Sequence, residues 1–166
     1  MPTKRKTGEK MLRGIPVSQG VSRSRVVVLD RTRIDPAKWG ILESDSAGEE
    51  DRLQASLVET RRQILAVQER LREALGAKEA QIFDAHLLVL EDPMLIEEAT
   101  RFIREDLVTA EFAFHEASEK YAEALGKVDD SYLSERAADI RDVAQRVLAD
   151  LMGQALCTGL TDLTEP

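Results

Sequence analysis

Apolar residues recur at steps of three and four from Ser44 to Gly153, the spacing that places side chains on one face of an α-helix. The first apolar stripe predicts a helix of about thirty residues, closed by Gly76 where a left-handed C-terminal cap is expected. Thr60 is its only polar interruption. The apolar members of this stripe are Leu53, Leu57, Ile64, Val67, Leu71 and Ala74. A helix of this length with heptad-like spacing favours packing against antiparallel neighbours, as in a helical hairpin.

Two further helices are predicted on either side of Asp92. The second runs from about Lys78 to Glu91, and the third covers about Pro93 to Asp106. Asp92 is suited to cap the third helix, because aspartate is favoured at the N-cap and proline at the first helical position. The inward residues of the third helix are Ile96, Ala99 and Ile103.

The rest of the pattern predicts a fourth and a fifth helix. Thr109 is placed to cap the fourth, which Gly126 closes, and the fifth starts at Asp130 or Ser131. Their inward residues are Phe114, Ala117, Tyr121 and Leu125 in the fourth and Leu133, Ala137, Ile140, Val143, Val147 and Leu151 in the fifth. Residues 43–153 are therefore predicted to form a bundle of helical hairpins.

The segment before the bundle has a different pattern. The β-branched run from Val26 to Val28, between Gly20 and Asp30, predicts a short buried strand, and Ile15 to Val17 is a candidate for a second. Two strands alone are marginal in water, so this piece must lean on other residues. The predicted fold class is mainly α, a helical-hairpin bundle with a short N-terminal strand pair.

The charge distribution limits the classes of partner that the protein is expected to bind. The 166 residues include 23 Lys and Arg against 31 Asp and Glu, a net charge of −8, although residues 1–14 alone carry +4. An acidic body repels phosphate backbones, which argues against nucleic acid and for a basic protein partner. Residues 1–12 are interpreted as a solvated basic tail. No apolar run is long enough to span a membrane and no secretory signal is found, so a cytoplasmic protein is expected.

Few residues are placed for catalysis. Cys157 is the only cysteine, which rules out an internal disulfide, and no glycine-rich phosphate loop is present. His86 and His115 fall on different predicted helices, without a nucleophile beside them. His115 and Glu116 resemble the start of a zinc-protease helix, but Glu119 stands where the second histidine is needed. No catalytic residue, metal or cofactor is expected in this chain.

One surface is a candidate for binding. On a helical wheel Leu88 falls opposite the broad apolar face of the second helix, near Asp84 and Asp92. Residues 77–98 hold six acids and one base, so Leu88 is the apolar centre of an acidic rim, as expected for the docking of a basic partner. The inward face would hold Ile82, Phe83, His86, Leu87, Val89 and Leu90. Alternatively, a further helix covers Leu88 and makes it part of the core; the pattern alone leaves both readings open.

Three blocks of sequence carry a family resemblance. They are GIPVSQGVS at residues 14–22, IFDAHLLVLEDP at residues 82–93 and YLSERAADIRDV at residues 132–143. In this order and spacing they resemble Enzyme I of the bacterial sugar phosphotransferase system, the phosphoenolpyruvate-protein phosphotransferases, over residues 13–166.

The resemblance implies a division of the chain. Residues 13–32 would supply strands of an α/β phosphohistidine subdomain, residues 43–153 the helical subdomain that binds the phosphocarrier HPr, and residues 154–166 a truncated link back to the α/β subdomain. By resemblance, the apolar contacts to HPr are Leu88, Val89 and Leu95, and the polar contacts are Asp84, His86, Asp92 and Arg136. The family often has acids where Lys78 and Met94 stand, so this surface is less negative and slightly more apolar.

The resemblance also implies what the chain does not carry. The phosphorylated histidine of the family lies in a Gly-Gly-x-x-Ser-His context, which neither histidine of this sequence has. The chain is therefore expected to be an inactive, monomeric part of a longer enzyme that uses magnesium and dimerises through a C-terminal domain. The alternative is a non-catalytic helical adaptor or structural protein derived from that family.

Overall fold

The computed structural model describes residues 20–21, 33–127 and 131–154, with the side chains of residues 131–135 left out. The chain divides into two units, Met1–Arg31 and Thr32–Pro166, and the described residues lie almost entirely in the second. The basic tail, both predicted strands and the link after residue 154 lie outside the described residues.

The described residues form six α-helices after a 3-10 turn at Glu43–Asp45. The helices are α1 (Ser46–Leu75), α2 (Ala77–Ala80), α3 (Ile82–Leu90), α4 (Pro93–Glu105), α5 (Ala110–Gly126) and α6 (Ser131–Leu151). The β pairing found among these residues is an isolated antiparallel bridge between Gly40 and Val108. The mainly helical fold class is confirmed. None of the described helices is long and apolar enough to cross a membrane.

Helix α1 is the central element, since α2, α3, α4, α5 and α6 all pack against it. Its 30 residues confirm the predicted length. The apolar stripe is buried as far as Ile64 and partly buried at Leu71, but Ala74 is exposed, contrary to expectation. Gly76 closes the helix with a positive φ of 116°, although its ψ of 170° is not that of the left-handed helical region.

The predicted second helix is broken at Gln81 into α2 and α3. The Asp84 N–H donates to the carbonyl of Gln81 at 3.0 Å, three residues back, which is the tighter 3-10 pattern. Three-residue spacing aligns Ala80 with Phe83, and both side chains are buried. The prediction of one continuous helix was wrong. The apolar periodicity of residues 78–91 did not show that Ala80 and Phe83 lie on the same side, which the tighter turn at Gln81 produces.

Charged side chains of α1 cap the neighbouring helices. Thr109 is the N-cap of α5 as predicted, but its side chain makes no capping bond; the Glu49 carboxylate accepts from the Ala110 N–H at 2.7 Å instead. Arg52 pairs with Glu49 at 2.7 Å and with Glu111 of α5, and donates to the carbonyl of Leu151 at the end of α6. The start of α1 is thereby tied to the start of α5 and the end of α6.

A second set of ion pairs joins α4 to α5. The Glu98 carboxylate accepts hydrogen bonds from Arg101 on its own helix, at 2.9 Å, and from Lys120 on α5, at 2.5 Å. These bonds, first that of Arg101 and then that of Lys120, lower the pKa of Glu98 from 4.5 to about 2.

Replacing Ile64 with alanine is expected to lower the free energy of unfolding by about 2–5 kcal/mol, since its side chain is fully buried and leaves a cavity. Val58, 60% exposed on the same helix, is the matched control. Val58→Ala is expected to change the free energy of unfolding by less than about 0.5 kcal/mol. Urea unfolding followed by circular dichroism measures both, and equal losses would contradict this orientation of α1.

The Glu98→Gln variant is expected to be less stable than wild type at neutral pH and to approach it in acid. Because the folded-state pKa of Glu98 is depressed to about 2, its stabilising contribution is fully present above about pH 4.5 and is lost as the pH falls toward 2. Thermal melts of both proteins across that range test this. A difference in Tm that stays constant with pH would contradict it.

Candidate functional site

The outer side of α3 and the first turn of α4 form a surface that we call the α3–α4 face. It consists of Asp84, Leu88, Asp92 and Met94. Its two apolar side chains are strongly exposed, Leu88 at 66% and Met94 at 62%. Leu88 therefore points outward, and the alternative that it belongs to the core is wrong.

The inner side of α3 explains this orientation. Phe83 and Leu90 are buried, and Leu87 and Val89 are partly buried against the same core. With 100° between successive residues, Leu88 then falls on the outside. Ile82 was predicted to face inward, which is wrong: it is the first residue of α3, and the tight turn at Gln81 gives the inward position to Phe83.

Leu95 was predicted to contact a partner, but it is only 2% exposed. It lies one turn before Ala99 and two turns before Ile103, and all three side chains are in the core. This spacing of four was the signal in the sequence that assigns Leu95 to the core stripe of α4. Met94, one residue earlier, takes the outward position.

Asp84 and Asp92, each four residues from Leu88, are held by hydrogen bonds. One Asp84 carboxylate oxygen accepts from Gln68 Nε2 of α1 at 2.7 Å. One Asp92 oxygen accepts from the backbone N–H groups of Met94, at 2.8 Å, and Leu95, at 3.4 Å, so Asp92 caps α4 as predicted. Both carboxylates are thereby fixed in place on the α3–α4 face.

Two other acids of this region are paired with bases. Glu91 accepts from Arg61 of α1 at 2.6 Å, and Glu98 is engaged by Arg101 and Lys120. The negative charge of residues 77–98 is therefore partly compensated. Asp84 and Asp92, near Leu88, instead accept hydrogen bonds from uncharged donors.

His86 lies on the opposite side of α3 from Leu88, and its side chain is 14% exposed. Its ring lies 5.6 Å from that of Phe83, and its Nε2 is 3.8 Å from a carboxylate oxygen of Asp139 on α6. Its Nδ1 is buried and has no hydrogen-bond partner among the residues that the structure describes. Arg136, three residues before Asp139, is partly buried on α6. The structure thus brings His86 to α6, and it separates His86 from the outer face that holds Leu88.

The second histidine lies elsewhere in the bundle. His115 is on α5, 14% exposed, with its Nε2 3.6 Å from a carboxylate oxygen of Asp35. Among the described residues no group of three or more His, Cys, Asp or Glu side chains is arranged to hold a metal ion. The magnesium that the resemblance implies for longer relatives therefore finds no matching ligand set in the described part of the chain. What the α3–α4 face offers chemically is apolar contact with a charged rim.

Comparison with known proteins supplies a family context. Residues 13–136 match the family model described as PEP-utilising enzyme, N-terminal. The chain is 37% identical over 148 residues to the phosphoenolpyruvate-protein phosphotransferase of Enterococcus faecalis, covering 89% of this chain and 25% of that protein. It is 37% identical over 142 residues to the Bacillus subtilis protein of the same name, covering 86% and 25%. The chain spans about a quarter of the length of these curated relatives.

Solved structures share the architecture. An NMR solution structure of Enzyme I (nEIt) is similar with a TM-score of 0.69 and 34% identity, covering 74% of this chain and 49% of that one. A structure of the N-terminal domain of Enzyme 1 - Nitrogen is similar with a TM-score of 0.64 and 30% identity, covering 71% and 48%. The helical arrangement described above is therefore shared with proteins of known structure.

Asp92 has two separable roles, and two substitutions distinguish them. Asp92→Ala removes the N-cap of α4 and is expected to lower the free energy of unfolding by about 1 kcal/mol. Asp92→Asn keeps an equally good capping oxygen and is expected to remain close to wild type in stability while losing the rim charge. Urea unfolding of both variants measures this. A loss for asparagine as large as that for alanine would show that the charge, and not the hydrogen bond, stabilises α4.

Proposed function

The chain belongs to the PEP-utilising enzyme, N-terminal family and corresponds to the N-terminal domain of Enzyme I, and from this premise we propose that its α3–α4 face docks the phosphocarrier HPr. The observation that carries the proposal is the exposure of Leu88, 66%, on a helix whose other side is packed into the bundle. A large apolar side chain held outward by a packed helix, with fixed acids beside it, favours a protein partner with an apolar centre and basic surroundings.

We assign different roles in docking to the polar residues. Asp84 and Asp92 lie on the exposed side of α3 and at its junction with α4, where their charges attract a basic partner and orient its approach. His86 lies toward α6 and Arg136 lies on α6; we assign His86 to holding α3 in place, and both residues to the border of the contact. Among the apolar residues that the resemblance assigned to the contact, Leu88 is exposed and Val89 is partly buried, and Met94 takes the place of the buried Leu95.

In this proposal the chain binds and orients HPr, and the phosphoryl group comes from a histidine that is neither His86 nor His115. Both imidazoles are only 14% exposed, and the Nδ1 of His86 is buried, whereas a nitrogen that accepts and passes on a phosphoryl group must be reached from solvent. Phosphoenolpyruvate, magnesium and dimerisation are assigned to other parts of the longer relatives. The site of action we propose is the cytoplasm.

Replacing Leu88 with aspartate is expected to weaken HPr binding by about 2 kcal/mol or more, roughly thirtyfold in Kd, since it puts a charge where an apolar contact is desolvated. Folding should change little, because the side chain lies outside the core. The matched control is Leu42→Asp, which adds the same charge at a leucine that is 69% exposed before the start of α1. The measurement is a calorimetric titration of HPr into each chain, with circular dichroism melts beside it.

The rates of HPr association and dissociation test the two acids of the rim, Asp84 and Asp92. Asp84→Asn and Asp92→Asn are expected to slow HPr association several-fold and to reduce its dependence on salt, while dissociation stays nearly unchanged. Stopped-flow mixing at low and moderate salt separates the two rates.

Wild-type affinity in Leu88→Asp, or equal losses of HPr affinity in Leu88→Asp and Leu42→Asp, would refute the α3–α4 face as the docking surface.

A further inference from the structure

One side chain of α1 reaches under the α3–α4 face. Gln68 Nε2 donates to a carboxylate oxygen of Asp84 at 2.7 Å and lies 3.3 Å from the carbonyl oxygen of Ala80. Both partners are acceptors, so only the amide NH2 group, with its two hydrogens, satisfies the pair. The orientation of the Gln68 amide is thereby fixed by its surroundings.

The Ala80 carbonyl needs this donor because of the break between α2 and α3. In an uninterrupted helix the N–H of Asp84 would donate to Ala80, four residues back. Here it donates to Gln81 at 3.0 Å. Ala80 is buried, and a buried carbonyl without a partner is costly, so Gln68 completes the hydrogen bonding that the break leaves open.

The second bond of Gln68 acts on the surface itself. Asp84 is exposed, and a free aspartate at an exposed helical position samples several rotamers. The bond to Gln68 holds its carboxylate in one of them, beside the first turns of α3.

We propose that Gln68 is a positioning residue for partner docking. It stabilises the α2–α3 break by donating to the Ala80 carbonyl, and it sets the direction of the Asp84 carboxylate on the α3–α4 face. The docking part of this inference rests on the proposed function. The geometric part concerns the free chain and stands without it.

The test variant is Gln68→Glu, which keeps the shape and helix propensity of glutamine but replaces both donor hydrogens with an acceptor-only group beside Asp84. Gln63→Glu is the matched control, because Gln63 lies on the same helix, is also half-buried, and donates to Glu59 of its own helix at 3.0 Å. Gln68→Met serves as a second variant that removes the donors without adding charge.

Amide hydrogen exchange in the free chain gives the first readout. Loss of the Gln68 bonds is expected to speed exchange of residues 82–87 about tenfold, both in Gln68→Glu and in Gln68→Met, with Gln63→Glu unchanged. Wild-type exchange rates in both Gln68 variants would overturn the inference.

A donor–acceptor exchange gives the second readout. In the double variant Gln68→Glu with Asp84→Asn, an amide at position 84 donates to a carboxylate at position 68, and the net charge equals that of wild type. We expect exchange of residues 82–87 to be slower in the double variant than in Gln68→Glu alone. Gln68→Glu with Asp84→Ala relieves the same repulsion between carboxylates without supplying a donor. A merely space-filling role for Gln68 predicts equal recovery in the two double variants, and that result would overturn the side-chain part of the inference.

The rate of association with HPr gives the third readout. Gln68→Met, which frees the Asp84 carboxylate without changing the charge, is expected to slow association with HPr several-fold, and Gln63→Met to leave it near wild type. If wild-type chain does not bind HPr, the proposed function fails while the exchange result still decides the geometry. If wild type binds and Gln68→Met associates as fast as Gln63→Met, the docking part of the inference fails while the proposed function stands.

Discussion

The fold depends on covering the apolar stripe of α1. A helix of 30 residues is about 45 Å long, and no other described helix reaches that length, so no single neighbour covers it. Its polar contacts follow one order along the chain. Glu50 binds Arg104 of α4 and Ser56 binds the Val147 carbonyl of α6, whereas Arg61 and Gln68 bind residues of α2 and α3 or their ends. The first half of α1 thus organises α4, α5 and α6, and the second half organises α2 and α3.

This arrangement creates the α3–α4 face. Helix α3 has nine residues, and its inner side is fully used by packing on α1 and α6. Its outer side is left in solvent, so Leu88 is exposed as a consequence of how α1 is covered. The Asp92 cap then turns α4 so that Leu95 enters the core and Met94 stays outside. A surface with an apolar centre therefore results from packing constraints on both helices.

Charge on this surface is governed by which acids have a basic neighbour. Glu91 and Glu98 are paired with Arg61, Arg101 and Lys120, so they contribute little net field. Asp84 and Asp92 are held by an amide side chain and by backbone N–H groups, which fix direction without cancelling charge. The acidic character of the face is narrower than the composition of residues 77–98 indicates, and it lies where a docking partner would approach Leu88.

The sequence by itself determined the elements whose signals are local. The length and end of α1 follow from its stripe and Gly76, the start of α4 from Asp92 and Pro93, and the position of Leu88 opposite the apolar face from the wheel of its own helix, although its exposure to solvent does not. The tertiary structure decided what depends on distant residues. Ile82 is apolar and lies near the edge of the broad apolar face of α3, and only the neighbours of that helix settle that it is exposed. Likewise, the donor near the Ala80 carbonyl at the break and the carboxylate that caps α5 belong to Gln68 and Glu49, which are side chains of α1. Periodicity gives the orientation of a helix to within the width of its apolar face, and contacts between helices supply the rest.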